Sequence, residues 1–234
     1  MKMFDYQDFG LKKDNLYEII ATTYSITAKD KDIKPNASCM GIKMIEGDQI
    51  QISPFYNTTT YKNLKKYSMI AINFVDNVYL YALAALKEPN SPIGLIDFPS
   101  NYYDFKYLES HAMDVPYIKK AWGILIGEVS REFQKTKSDD FGETTIPVFK
   151  LNVIYSEKFQ ESRKLFNRAE NLALETIILA TRLKIAKENK NQPLLSKVHE
   201  KIIDHMENIE RFGKNENALK TIELVNRYIS KLMD

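Results

Sequence analysis

The sequence predicts an α+β protein, with an antiparallel β-barrel over residues 1–155 and a helical hairpin or three-helix bundle over residues 156–234. Three observations predict it. The first half carries short runs rich in β-branched and aromatic residues, mostly without the crossover helices that a parallel sheet needs. Near residue 156 the pattern switches to apolar residues three and four apart, the period of packed helices. Finally, 44% of the 234 residues are apolar, enough for one large core or a core with an appendage.

Taken in order, Tyr17–Tyr24 (YEIIATTY) reads as the first strand. Ser38–Ile45 (SCMGIKMI) and Gln49–Tyr56 follow, flanking Glu46-Gly47-Asp48, where Gly47 suits a hairpin turn. Met69–Val75 (MIAINFV) is a short buried strand. Residues 78–86 (VYLYALAAL) fit a helix or a strand, because short apolar runs do not decide between them. Residues 87–120 hold four of the eight prolines and read as an irregular excursion. Ala121–Phe133 and Ile146–Tyr155 are long strands joined by the polar run Gln134–Thr145.

In the second half, Leu165, Ala169, Leu172, Thr176, Leu179 and Leu183 line one face of a long helix. Pro193 opens a second, with Leu195, Val198, Ile202, Ile209 and Phe212 along its face and Gly213 as its C-terminal cap. A third runs from about Asn217, with Leu219, Ile222, Val225, Ile229 and Leu232 inward. The short connections imply antiparallel packing.

Composition narrows the function. Lys and Arg number 33 against 31 Asp and Glu, a net charge of +2, so no field large enough to drive duplex binding exists and no nucleic-acid partner is expected. The lone cysteine, Cys39, makes neither an intramolecular disulfide nor a structural zinc site and reads as a small core residue. The charged start (MKMFDYQDFGLKKDN) is no signal peptide, and the longest apolar runs fall well short of the roughly 20 residues of a membrane helix. A soluble, cytoplasmic protein without a membrane partner is the expectation.

Most catalytic motifs are absent. The eight glycines form neither a G-x-G fingerprint nor the offset of a P-loop. His199 and His205 are six apart on one helix and cannot share a metal. His111, near Glu109 and Asp114, reads as a solvated loop histidine. No metal site and no Ser-His-Asp or Cys-His arrangement is supported. One stretch stands out: residues 53–63 (SPFYNTTTYKN) concentrate hydroxyls, amides and a lysine where a strand end runs into a short helix. Unpaired N–H groups, hydroxyl donors and a positive side chain there suit a phosphate. The same stretch also reads as an ordinary helix cap, with Thr58 or Thr59 at the N-cap.

The order of segments carries a resemblance. Tyr17–Tyr24, then Pro35-Asn36-Ala37-Ser38-Cys39-Met40-Gly41, then Thr60-Tyr61-Lys62-Asn63-Leu64, then Ala71-Ile72-Asn73-Phe74 resembles an FMN-binding split barrel. More narrowly, the chain is similar to the archaeal DUF447 family, which pairs such a barrel with a helical region matched here by Asn167-Arg168-Ala169-Glu170 and Ala180-Thr181-Arg182-Leu183. The likeness spans roughly residues 15–185.

The resemblance implies a homodimer with FMN in the groove between two subunits. Thr58, Thr60, Lys62 and Asn63 would then lie near the phosphate, and Asn36 and Ser38 near the isoalloxazine or ribityl chain. Tyr61 and Ser53 would be further contacts. Trp122 would shield the flavin from the partner subunit, or else be a buried core tryptophan. Ser38-Cys39-Met40 stands where relatives commonly carry a smaller, proline-containing segment. The implied activity is that of a flavin reductase-like, FMN-dependent oxidoreductase using a nicotinamide or another small electron donor or acceptor. No catalytic side chain is needed, because the cofactor supplies the redox chemistry. Two alternatives stay open: a dimeric flavin-binding or interaction protein without turnover, and a deazaflavin-dependent reductase. The helix arginines Arg163, Arg168 and Arg182 read as solvated or salt-bridged.

Overall fold

The computed structural model describes residues 5–27, 32–45, 49–87, 97–139, 142–162, 167–212 and 215–233. Two compact units form, Met1–Val75 with Pro99–Ser162 and Asp76–Phe98 with Arg163–Asp234. The sequence boundary at 155/156 kept residues 76–98 with the barrel, whereas the described part of this stretch, 76–87 with 97 and 98, falls in the second unit. The reason lies in Val78–Ala85, which is apolar on every face and needs helices on several sides to cover it.

Unit one is a closed antiparallel barrel. Its strands are β1 (Leu16–Ile26), β2 (Ile33–Met44), β3 (Gln49–Ile52), β4 (Met69–Val75), β7 (Ala121–Asp139) and β8 (Gly142–Lys158). They run β1-β2-β3-β8-β7-β4, and the ring closes where Ile20, Ala21 and Thr22 of β1 pair with Asn73, Ile72 and Ala71 of β4. Alternation sorts the side chains. Ile19 and Ala21 of β1, Ile70, Ile72 and Phe74 of β4, Leu125 of β7, and Phe149 and Leu151 of β8 fill the interior with Ile42, Ile50 and Ile52. A second cluster, with Tyr24, Met69, Ala71 and Ile126, forms on the outside. A hairpin of β5 (Tyr103–Leu108) and β6 (Met113–Ile118) covers it with Leu108 and Val115.

Several elements differ from the sequence reading. The excursion at 87–120 holds this hairpin, the prolines of the segment having masked the alternation of Asp104 and Lys106 with Phe105 and Tyr107. The polar run 134–145 is largely ladder: β7 and β8 stay paired from Thr136↔Thr145 to Asp139↔Gly142. A two-stranded ribbon wet on both faces has no apolar alternation to display. β3 stops at Ile52, two residues before Pro54, which has no N–H to donate. The Glu46–Asp48 turn lies outside the described residues, although the strands flanking it do pair, Ile42 opposite Ile52.

A short helix, α1 (Thr59–Tyr67), leads from β3 toward β4 and lays Leu64 into the barrel interior. Its C-cap, Ser68, has the left-handed φ of 56° that ends a helix.

Unit two holds α2 (Val78–Ala85), capped by Asn77, which settles the helix-or-strand ambiguity of that run. It also holds α3 (Arg168–Glu188), α4 (Gln192–Phe212) and α5 (Glu216–Met233). α3 is central, packing on α4, α5 and α2, whereas α4 and α5 touch little. Its buried face is lined by Ala169, Ala173, Ala180 and Ala186 with Thr176, Ile177 and Leu183, and such small side chains let neighbouring backbones come close. Leu172 and Leu179, expected inward, are only half-buried. Leu195, Val198, Ile202 and Ile209 of α4, and Ile222, Val225, Ile229 and Leu232 of α5, are buried as expected. Leu165, Gly213 and the side chain of Phe212 lie outside the described residues. No helix among the described residues is long and apolar enough to cross a membrane.

Candidate functional site

The chain leaves β3 through Ser53 and Pro54 and turns into α1 at Thr58. The Thr58 hydroxyl accepts the Tyr61 N–H at 3.2 Å and donates to the Phe55 carbonyl at 2.7 Å. Thr58 is therefore the N-cap, and its one proton is committed to the turn. Of the two cap candidates, the structure selects Thr58 over Thr59.

Beneath this first turn lies a cluster of hydroxyls and amides from three elements. The Asn36 side-chain amide donates to the hydroxyls of Thr23, at 3.4 Å, and Thr60, at 3.3 Å. Thr60 shares a 2.7 Å hydrogen bond with Ser38. The Asn63 amide donates to Thr23 at 3.1 Å. Register explains the meeting: Thr23 lies directly opposite Asn36 and Ala21 opposite Ser38, so all four side chains share the barrel's inner face at the end that α1 covers. Thr60 and Asn63, three apart on α1, reach down to them. Thr23 is fully buried, and Thr60 and Asn63 nearly so.

The rim is aromatic and charged. Tyr61 packs on Phe149, with 5.7 Å between ring centroids, and edge-on to Tyr56 at 5.0 Å. Its hydroxyl donates to Glu132 of β7 at 3.2 Å. Desolvation first, then this acceptor, push the Tyr61 phenol above its ordinary value. The same carboxylate binds Lys65, and this raises the Lys65 ammonium. Lys66 sits over the Tyr67 ring at 5.1 Å. Lys62, one position past the cap's partner, is exposed and has no ion pair among the described residues.

The structure thus brings together Asn36, Ser38, Thr60 and Asn63, with Thr58, Tyr61 and Lys62 at the same helix start. Ser53 stands half-buried just past β3. Trp122 is set apart. Its ring stacks on Phe74 at 5.0 Å and on Phe9 at 6.0 Å, and a Cβ on Gly123 would come within 2.8 Å of the Phe9 ring. Gly123 lies opposite Phe74, whereas Thr22 lies opposite Ala71, three residues earlier on β4. Trp122 therefore lies about 10 Å farther along, toward the end away from α1. Its side chain is only partly buried and packs against the interior cluster from its margin.

Sequence reasoning missed Thr23 and Glu132. Thr23 is visible only through register, since nothing in YEIIATTY sets it apart from Thr22. Glu132 is remote in sequence from α1. No group of potential metal ligands occurs among the described residues.

In chemical terms, the first turn of α1 offers backbone N–H groups, hydroxyls and the exposed Lys62 ammonium, a donor set that suits a phosphate monoester. The amide and hydroxyl side chains of β2 extend that set along the barrel mouth. A phosphorylated, hydrogen-bonding cofactor such as FMN fits these residues.

Comparison with known proteins bears on the fold and the family. An FMN-bound protein of the DUF447 family from Methanosarcina mazei superposes with a TM-score of 0.69 at 20% identity, covering 96% of this chain and 100% of that one. That likeness establishes the barrel-plus-helices fold over the 96% of this chain that it covers. Two more distant likenesses are a flavin reductase domain protein from Arthrobacter sp. FB24 and a flavoredoxin of Desulfovibrio vulgaris. The first has a TM-score of 0.45 at 11% identity, covering 67% of this chain and 85% of that one. The second has a TM-score of 0.45 at 14% identity, covering 60% and 68%. No curated protein matches. The model of the DUF447 N-terminal domain, a protein family of unknown function, matches residues 17–160, more than half of the chain, and this protein belongs to that family.

Proposed function

We propose that the protein binds FMN at the α1 end of its barrel and works in the cytoplasm, as a homodimer, as a flavin reductase-like oxidoreductase. The observation that carries the reading is the Thr23–Asn36–Ser38–Thr60–Asn63 cluster beneath a capped helix start with exposed Lys62 beside it. The FMN bound by the Methanosarcina relative, which this chain matches over that relative's whole length, supports it.

When bound, FMN would supply the two-electron redox chemistry, with a nicotinamide or another small molecule as donor or acceptor. The chain's own residues bind and orient. Lys62 and the first-turn N–H groups hold the phosphate, Thr60 and Asn63 line its approach, and Asn36 and Ser38 meet the ribityl chain or ring. Thr58 acts indirectly by fixing the turn. Phe55 and Tyr56, 51% and 38% exposed at the rim, present apolar surface that a second barrel would cover.

The test is the colour and mass of whatever co-purifies. A flavin absorption band with the mass of FMN supports the reading, and the bluer band of a deazaflavin replaces FMN with its analogue. A colourless protein that takes up no added FMN overturns it. Anaerobic bleaching by a nicotinamide then separates an enzyme from a passive binder. Sedimentation at twice the 27.2 kDa chain mass checks the dimer.

A further inference from the structure

We infer that Thr23 is a positioning residue that sets the spacing between the two halves of the ligand site, an inference that rests on the flavin reading above. The Thr23 hydroxyl accepts from Asn63 of α1 at 3.1 Å and from Asn36 of β2 at 3.4 Å. It joins the helix directly to β1 and, through Asn36, to β2. Thr60 adds a second tie, from α1 to Asn36 and Ser38, but contributes no bond to β1.

The helix half offers the donors suited to a phosphate, and the β2 half offers those suited to a ring or ribityl chain. A ligand long enough to use both halves gains from their being held at its own length, just as a linked pair of contacts gains only when its span matches. Thr23 touches neither end of such a ligand. It is fully buried, accepts two hydrogen bonds with its two lone pairs, and fixes the amide plane of Asn63, whereas Asn36 keeps Thr60 as a second partner. The bond to Asn63 is fully buried, where an unmade hydrogen bond costs most, and losing the acceptor leaves an amide donor on each asparagine to find another partner.

The test compares FMN with riboflavin, which lacks the phosphate and occupies the β2 half alone. Titration of the full-length protein with Thr23→Val, which keeps the shape and removes the hydroxyl, is expected to weaken FMN binding about tenfold. Riboflavin affinity is expected to stay within about twofold, and Thr23→Ser is expected to restore FMN binding. Should the valine variant fail to fold, Thr23→Ala carries the same expectation. FMN affinity unchanged in the folded valine or alanine variant overturns the inference, and so does an equal loss for both ligands, which marks Thr23 as merely structural. Wild-type protein that binds no FMN at all overturns the flavin reading itself, a separate result.

Discussion

The side-chain oxygen of Asn73, on β4, accepts the backbone N–H of Ile118, on β6, at 2.7 Å. Its amide donates to the Ile20 carbonyl at 2.8 Å and to the Thr22 hydroxyl at 3.1 Å, while Thr22 in turn donates to the Pro116 carbonyl. Asn73 and Thr22 are both fully buried. One asparagine thus serves the β1–β4 seam that closes the barrel and also ties down the β5–β6 hairpin. Its place next to the register shift at Phe74/Val75 puts it where the ladder alone would leave polar groups unmet.

Replacing Asn73 by Leu removes these bonds and strands the Ile118 N–H in an apolar site. Each stranded buried group costs about 1–3 kcal/mol, so Asn73→Leu is expected to destabilise unit one by about 2–4 kcal/mol in urea unfolding. Hydrogen exchange at the Ile118 amide should quicken more than at amides inside the β1–β2 ladder. Equal protection at both would show that the hairpin is held by its apolar face alone.

Lys62→Ala tests the phosphate end of the site. A charge-assisted contact of this kind is worth roughly 1.5–3 kcal/mol, so FMN binding is expected to weaken about ten- to a hundredfold while riboflavin binding is unchanged. Lys65 is a useful control. Glu132 already holds it, so Lys65→Ala should cost FMN affinity much less. A folded Lys62→Ala protein with wild-type affinity would leave Lys62 a surface lysine beside a cap.

What could be read from the sequence follows from where each cause sits along the chain. β4 matched its predicted span, Met69–Val75, because a seven-residue run buried throughout announces itself as an apolar block. The start of α1 was equally legible, since Thr58, Thr60 and Lys62 are near neighbours and a helix start is a local event. The β5–β6 hairpin was not, because its hold on the barrel runs through Asn73, more than 40 residues away. Thr23 was hidden for the same reason: its importance lies in the pairing with Asn36, and a register is a relation between strands.

Tyr24 supplies the pH test. Burial first, then the nearby Tyr67 ring at 5.1 Å, push its phenol up to about 12. In the unfolded chain a tyrosine ionises near 10. The folded value is raised, so the contribution to stability is fully present below the unfolded value and is lost as pH rises from about 10 through about 12. Tyr24→Phe has no such proton to lose. Wild-type stability is therefore expected to fall relative to Tyr24→Phe by roughly 1–3 kcal/mol across that window, with no trend between pH 6 and 9. Parallel curves through the alkaline range would mean that Tyr24 ionises at an ordinary pH.

Trp122 gives the last test, because the sequence left it two roles, packing in the core and shielding of the flavin. Stacked against Phe74 and Phe9, it contributes apolar area and ring contacts to the barrel interior. Aromatic pairs of this kind add about 0.5–1.5 kcal/mol beyond area burial, and a smaller ring leaves part of the slot empty. Trp122→Phe is therefore expected to lower stability by about 1–3 kcal/mol while leaving the affinity for FMN within twofold. Gly123 sharpens the contrast. Gly123→Ala drives a methyl to within 2.8 Å of the Phe9 ring and should destabilise in the same direction by displacing the stack from its other side. A shielding role would instead appear as weaker FMN binding at undiminished stability, and that result would return Trp122 to the cofactor site.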